Sequence, residues 1–359
     1  MTSPAPSNAP ARGFAATLAR SPQIGLVAVL LVLGAGLTFA AGSHTDALTG
    51  AHVNNFLNAH TLIQMATDAS GFAIMGVGAT IVIISGGIDL SVGAVYALAG
   101  VTMAMVLRAA GPLDPTAAVL LGLGTCLLVS LACGVANGIM VVGLDVHPFI
   151  ITLGTMWMLR GLAFVSSRAE SILVPGALTA VAKAPLGLSA SLYPVPLLVM
   201  LAVTGLGMAY LSRTVMGRHV FAVGGNPEAS RFAGLHVGRI RLGVYVLSSL
   251  GAGLAAFMGA AFYGSATSSD ANGYELYVVA SAVVGGASLS GGKGSALSAT
   301  LGALLIVMIR QGIRTLHLDQ NYEWIIIGGA MVIAVVFDQR GTQWIARRAG
   351  RAAAPRQSS

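Results

Sequence analysis

The chain is 359 residues long; 55% of them are hydrophobic and only 9% are charged, against roughly 25% charged in a soluble domain. So few charges cannot cover a water-soluble surface of this size, which leaves a polytopic helical membrane protein; a membrane barrel is excluded because the apolar runs are continuous, where a barrel alternates over about ten residues per strand. The net charge of +7 does not point to nucleic acid, because the arginines sit at span ends and in loops, where positive-inside bias places them.

In chain order, residues 1–23 are Pro, Ala, Ser and Asn with Arg12 and Arg20, and read as a disordered cytoplasmic N-terminus. The apolar run Ile24 to Gly42 exceeds the roughly 7–15 residues of a signal-peptide core, so it reads as a retained helix. Further spans are predicted at 62–85, 90–108, 116–142, 148–167, 193–212, 242–264, 275–289, 295–314 and 322–338. The fold class is therefore all-α, a transmembrane domain over 24–338 with ten helices, followed by a basic tail over 339–359. An even count puts both termini on one side. Thirteen of the 19 Lys and Arg then fall on that side, which makes it the cytoplasm. The 47 glycines are interleaved with Ala and Ser inside the spans, where small residues let helices approach closely. Cys126 and Cys133 lie two turns apart on one predicted helix, about 10 Å, too far to bridge, and read as small buried residues.

The longest polar interval runs from Arg213 to Arg241, with five arginines against one carboxylate, Glu228. Its sequence predicts a short helix. Gly224-Gly225 breaks the chain, Asn226 caps, Pro227 suits the first helical position and Glu228 complements the N-terminal dipole. Ala229, Phe232, Ala233 and Leu235 form a small apolar face, with Gly234 near the end. Such a capped helix has the shape of a knob for a protein groove.

A weak internal repeat pairs Gly86–Gly93, GGIDLSVG, with Gly285–Gly292, GGASLSGG; five of eight positions match. Its candidate turn residues are Gly86, Gly87, Asp89, Ser91 and Gly93, with Gly285, Gly286 and Ser290. A duplicated turn between helices suits a transporter built from repeated halves. The stretch GGKGS at Gly291–Ser295 fails as a phosphate loop, since Gly294 follows Lys293 where Ser or Thr is needed, and reads as a tight turn. The scattered histidines and cysteines predict no metal site, and no catalytic constellation appears. Charges within or near spans are Asp68, Asp89, Arg160, Glu275 and Glu323. A charge at mid-membrane costs about 2.5–3.5 kcal/mol, so Arg160, the deepest, needs a partner or a wet cavity.

Three segments together resemble one family. GRHVFAVGGNPEASRFAGLHVGRIR, ATIVIISGGIDLSVGAVYALAG and GYELYVVASAVVGGASLSGGKGSALSATLGALLI are similar to signatures of the permease subunits of ribose/xylose/galactose-type ABC importers, in the family's order, over roughly residues 60–338. The N-terminal extension and the Arg-rich tail lie outside that pattern. The resemblance implies a bacterial inner-membrane channel of two permease subunits, with a homodimer expected. A cytoplasmic ATPase with two nucleotide-binding domains would drive it, and a periplasmic binding protein would deliver a monosaccharide. ATP and Mg would sit on the ATPase, with no cofactor on this chain. Gly224, Gly225, Asn226, Pro227, Glu228, Ala229, Arg231 and Gly234 would form the helix that docks on the ATPase. Polarity and predicted depth nominate Gln64, Asp68, Ser70, Asn137, Thr152, Thr155 and Trp157 for the translocation cavity. A self-sufficient secondary carrier or channel is the alternative, with Asp68 its one fair proton-carrying candidate.

Overall fold

The computed structural model describes residues 22–45, 50–144, 146–187, 192–333 and 336; the N-terminal segment up to residue 21 and the basic tail lie outside the described residues. The helices are α1 (Pro22–Ala40), α2 (Ala59–Ile84), α3 (Val92–Ala110), α4 (Pro115–Gly143), α5 (Pro148–Ser167), α6 (Gly176–Ala182), α7 (Val195–Arg213), α8 (Val215–Gly225), α9 (Pro227–Phe232), α10 (Val237–Tyr263), α11 (Tyr274–Val284), α12 (Ala296–Thr315) and α13 (Tyr322–Ile333). Among the described residues, eight helices are long and apolar enough to cross a membrane: α1 to α5, α7, α10 and α12. The shorter apolar helices α11 and α13 fall where the eighth and tenth spans are predicted. Two small antiparallel ladders join loops, β1 (Ser43–Thr45) with β2 (His52–Asn54) and β3 (Ile172–Leu173) with β4 (Ser265–Ala266).

Helix starts follow the capping chemistry of the sequence. Asn58 Oδ1 accepts the Thr61 amide at 2.8 Å to open α2, and Asp114 Oδ2 accepts the Thr116 amide at 3.0 Å ahead of α4, with Pro115 at its first position. Helix α2 is the centre of the molecule. It is buried along most of its length, with α10, α12, α7 and α11 packed around it. Outer helices α1, α4, α5 and α7 leave apolar side chains such as Val32, Leu128, Val165 and Leu206 exposed, the surface that lipid covers.

Helices α4 and α10 pack backbone to backbone. A methyl group added at Gly134 would lie 2.8 Å from Val246 Cα and 3.0 Å from the Tyr245 carbonyl oxygen, so the two backbones touch without side chains between them. Cys126 and Cys133 are buried and unbridged on the same helix.

Helix α11 has 11 residues and covers about 16 Å of a bilayer core about 30 Å thick. The chain that leads into it, between Gly264 and Gly273, is non-helical beyond the short strand β4, and Ala266, Ser268 and Ala271 in it are buried. Irregular backbone survives at such depth only if its polar groups are satisfied inside the protein. Arg160 does this. Its Nη1 donates to the Ser268 carbonyl at 2.9 Å and the Asp270 carbonyl at 2.6 Å, and its Nη2 to the Ala271 carbonyl at 3.2 Å. The Glu275 carboxylate, in the first turn of α11, is buried in the same pocket. Both groups close on Gly93, where an added methyl would overlap Glu275 Oε2 and lie 3.5 Å from Arg160 Nη2. The deep arginine of the sequence thus finds three carbonyls and a nearby carboxylate.

Two outcomes follow for the purified protein. Gly134→Leu lowers thermal stability by about 1–3 kcal/mol through overpacking, whereas Gly124→Leu on the same helix, with nothing within 4 Å, leaves the melting temperature unchanged. Arg160→Leu strands the carbonyls and Glu275 and destabilises by about 3–5 kcal/mol, with Arg160→Lys recovering only part because an ammonium cannot span three acceptors.

Candidate coupling site and translocation cavity

The polar interval folds as two helices in series. Helix α8 is the part the sequence does not predict: Thr214 Oγ1 accepts the Gly217 amide at 2.9 Å to start it, and it runs through Gly224 and Gly225 before the chain breaks at Asn226. Val220 and Val223 anchor it in a buried cluster with Val77, Ile81, Val82, Ile84 and Tyr245. Helix α9 matches the predicted short helix. Asn226 Oδ1 accepts the Ala229 amide at 2.9 Å, Pro227 is its first residue and Glu228 lies in its first turn. Its end is closed by Gly234, in the left-handed region at φ +82°, with the Leu235 amide donating to the Ser230 carbonyl at 3.0 Å. Gly225, Asn226, Glu228, Ala229, Arg231 and Gly234 are exposed, and Pro227 is partly so. Gly224 is buried. Phe232 stands 90% exposed at the tip of this rigid knob.

The repeat turns close α2 and α11 in the same way. Gly86 (φ +84°) and Gly286 (φ +94°) are both left-handed. The Gly86 amide donates to the Ile83 carbonyl and the Gly87 amide to Val82, while the Gly286 amide donates to Val283 and the Ala287 amide to Ala282. The structural repeat therefore pairs Gly86 with Gly286, one residue away from the Gly86–Gly285 pairing of the sequence. Backbone handedness, which Gly285 does not share at φ −64°, sets the register. Ser290 and Lys293 sit exposed in the second turn, which is closed by the Ser288 amide on the Lys293 carbonyl at 3.1 Å.

After Gly87 the first turn runs back into the protein. Asp89 is 1% exposed; its Oδ1 accepts the Ser91 amide at 3.0 Å and the Ser91 hydroxyl at 2.6 Å, and its Oδ2 accepts the Ser248 hydroxyl at 2.9 Å. Asn137 Nδ2 donates to Ser91 Oγ at 2.7 Å. The Ile88 carbonyl accepts from Thr152 Oγ1 at 3.2 Å and from the Tyr245 hydroxyl at 3.3 Å. The carboxylate also lies beside the N-terminus of α3, whose dipole favours it. Asn137 and Thr152 thus hold this turn, and Thr155 bonds back to the Thr152 carbonyl at 3.2 Å.

Away from both turns, a cavity opens among α2, α3, α10 and α11, lined by Thr67, Asp68, Ser70, Tyr96, Tyr263 and Tyr274 among others. It leaves about 50 Å³ of free space, room for a few waters but well below the roughly 300 Å³ of a small-molecule site. Gln64 Nε2 donates to Asp68 Oδ1 at 2.9 Å, and Arg314 reaches Asp68 Oδ2 at 3.4 Å. Beside them, Arg310 Nε lies 2.9 Å from Glu323 Oε1, with its guanidinium over the rings of Phe72 and Tyr277 at 5.6 and 5.5 Å. The structure therefore brings Gln64, Asp68 and Ser70 together. It places Trp157 on the outer face of α5, 68% exposed. The sequence reading does not anticipate the tyrosines that line the cavity or the arginines beside it. Arg310 and Arg314, one turn apart on a predicted span, and Tyr274 and Tyr277, three apart, were the available signals.

The chain matches the family described as the branched-chain amino acid transport system / permease component over residues 61–335. The D-allose transport system permease protein AlsC of Escherichia coli (strain K12) is 34% identical over 286 residues, 79% of this chain and 85% of the relative. The ribose import permease protein RbsC of the same strain is 33% identical over 287 residues, 80% of this chain and 88% of the relative. The L-arabinose ABC transporter permease protein AraH of Azospirillum brasilense is 32% identical over 343 residues, 94% of each chain. No solved structure gives a significant match. A match spanning most of the membrane domain, with relatives above 30% identity along most of their length, means that the chain belongs to the branched-chain amino acid transport system / permease component family.

Proposed function

We propose that this chain is the membrane-spanning subunit of an ATP-driven importer that moves a monosaccharide across the bacterial inner membrane, with both termini cytoplasmic. The observation that carries this reading is the knob at α9: a helix capped at both ends, anchored through α8 in the core, and presenting Phe232 almost wholly to solvent. An exposed aromatic on a rigid support is the hot-spot chemistry of a protein interface. The partner it suits is a cytoplasmic ATPase with two nucleotide-binding domains, which holds ATP and Mg. A second copy of the chain and a periplasmic sugar-binding protein complete the assembly.

The sugar relatives support the substrate class, and so does the cavity chemistry. Its lining offers hydroxyls and tyrosine rings, which suit a neutral polyhydroxylated ring. No covalent step is assigned to this chain. ATP binding draws the ATPase domains together, α9 follows, and the membrane helices shift between two arrangements that open the path to alternate faces. In the arrangement described here the cavity is too small for a sugar. Gln64, Asp68 and Ser70 are the polar residues best placed to meet one when it widens, while Asn137, Thr152 and Thr155 act by holding the first repeat turn.

Reconstituted with its ATPase and binding protein, the chain takes up sugar on addition of ATP; reconstituted alone, it moves none down an ion gradient, and ion-driven uptake by the isolated chain overturns the reading. Glu228→Lys and Gly225→Trp insert normally but abolish ATP-driven uptake and co-purification with the ATPase. Unchanged uptake in both variants leaves α9 as a mere connector.

A further inference from the structure

The two repeat turns and the root of the docking helix meet at one point, and at Gly224 the contact is made by backbone. The Gly292 amide of the second turn donates to the Ile84 carbonyl, the last residue of α2 before the first turn, at 2.8 Å. Gly224 lies directly on that hydrogen bond. A methyl group at Gly224 would overlap the Ile84 carbonyl oxygen and lie 2.7 Å from Gly292 N. Gly291 closes the third side, where a methyl would lie 2.6 Å from the Gly224 carbonyl oxygen and 3.1 Å from Gly86 Cα. Gly291 is also left-handed, at φ +83°, a conformation that side chains resist.

We infer that Gly224, Gly291 and Gly86 form the joint through which movement of the docking helix reaches both halves of the membrane domain at once. This rests on the function proposed above. It separates two roles within the Gly224–Gly234 segment. The exposed residues from Asn226 onward meet the partner, whereas Gly224 is buried and faces inward, toward the turns. Three physical points support transmission over simple packing. The contact joins α8, which leads into α9, to the ends of α2 and α11, the helices that bound the cavity. Backbone contacts cannot yield by rotamer change, so a displacement of α8 is passed on and not absorbed. The joint also lies across a backbone hydrogen bond that ties the second repeat turn to the end of α2, where the first turn begins, so one movement acts on both.

The test uses the full complex with its ATPase and binding protein in vesicles, measuring sugar taken up and ATP hydrolysed together. Gly224→Ala retains membrane insertion and co-purification with the ATPase, and sugar moved per ATP falls by about tenfold or more, within the range of coupling energies between sites. Gly143→Ala, at an open position on the end of α4, leaves the ratio unchanged. A ratio within about twofold of the wild type in Gly224→Ala overturns the inference while leaving the proposed function standing. Failure of the wild-type complex to move sugar at all removes the function itself. Should Gly224→Ala not accumulate, hydrogen exchange on the wild-type complex decides the matter. Trapping the ATPase with a non-hydrolysable nucleotide analogue changes protection of peptides covering 81–91 and 285–295 together, and a change in one alone, or in neither, overturns the joint.

Discussion

A helix that stops inside a membrane leaves amides and carbonyls with no water to take them, and much of this chain is arranged around that cost. Helix α11 is too short to cross, and the backbone before it runs irregularly through the protein. Arg160 repairs the defect by giving its guanidinium to three carbonyls of that backbone. The first repeat turn poses the same problem from the other side. There Asp89 supplies the acceptors for Ser91 and Ser248, while Thr152 and Tyr245 bond the Ile88 carbonyl. Arg160 and Asp89 are thus means by which non-helical backbone is tolerated within the bundle, and such backbone is what allows a membrane bundle to be more than a stack of rods.

Much of this was legible because bilayer thickness fixes the length of apolar runs and capping chemistry is local. The ten predicted spans coincide with ten apolar helices to within a few residues at most ends, and Asn226, Pro227 and Glu228 take their predicted places in α9. What was not legible depends on neighbours far away in sequence. Helix α8 looked like loop because its arginine, histidine and glycines blur the apolar pattern, and only the cluster with Val77, Ile81 and Tyr245 reveals which face is buried. The repeat was found one residue out of register, because identity counting rewards Gly-Gly and Ser-Leu matches, whereas the fold aligns the residues that turn left-handed, Gly86 and Gly286. The depth of Arg160 in its span calls for a partner, but carbonyl oxygens carry no sequence signal. The cavity was the least legible part. Asn137 and Thr152 have the polarity of lining residues, yet their hydrogen bonds go to the first turn, and the ring of Tyr96 that does line it is indistinguishable in sequence from an interfacial aromatic.

The two candidate functional features lie far apart and differ in kind. The cavity wall carries Asp68, whose 3.4 Å contact with Arg314 is long enough to loosen at little cost, and Tyr96 and Tyr274, whose rings meet at a tilt. The region under α9 differs: Val220 and Val223 hold α8 in a buried cluster, and at Gly224 its backbone meets Ile84 and Gly292 with no side chain between them. A machine that turns a push at one face into an opening elsewhere needs this division, compliance where the path must widen and stiffness where force enters. Had the joint been made of leucines, rotamer changes would take up the first ångström of movement. The placement of glycine in this chain therefore follows two separate rules. Along α4 and α10 it sets how near two helices lie, and at Gly86, Gly224 and Gly291 it sets which parts of the molecule must move as one.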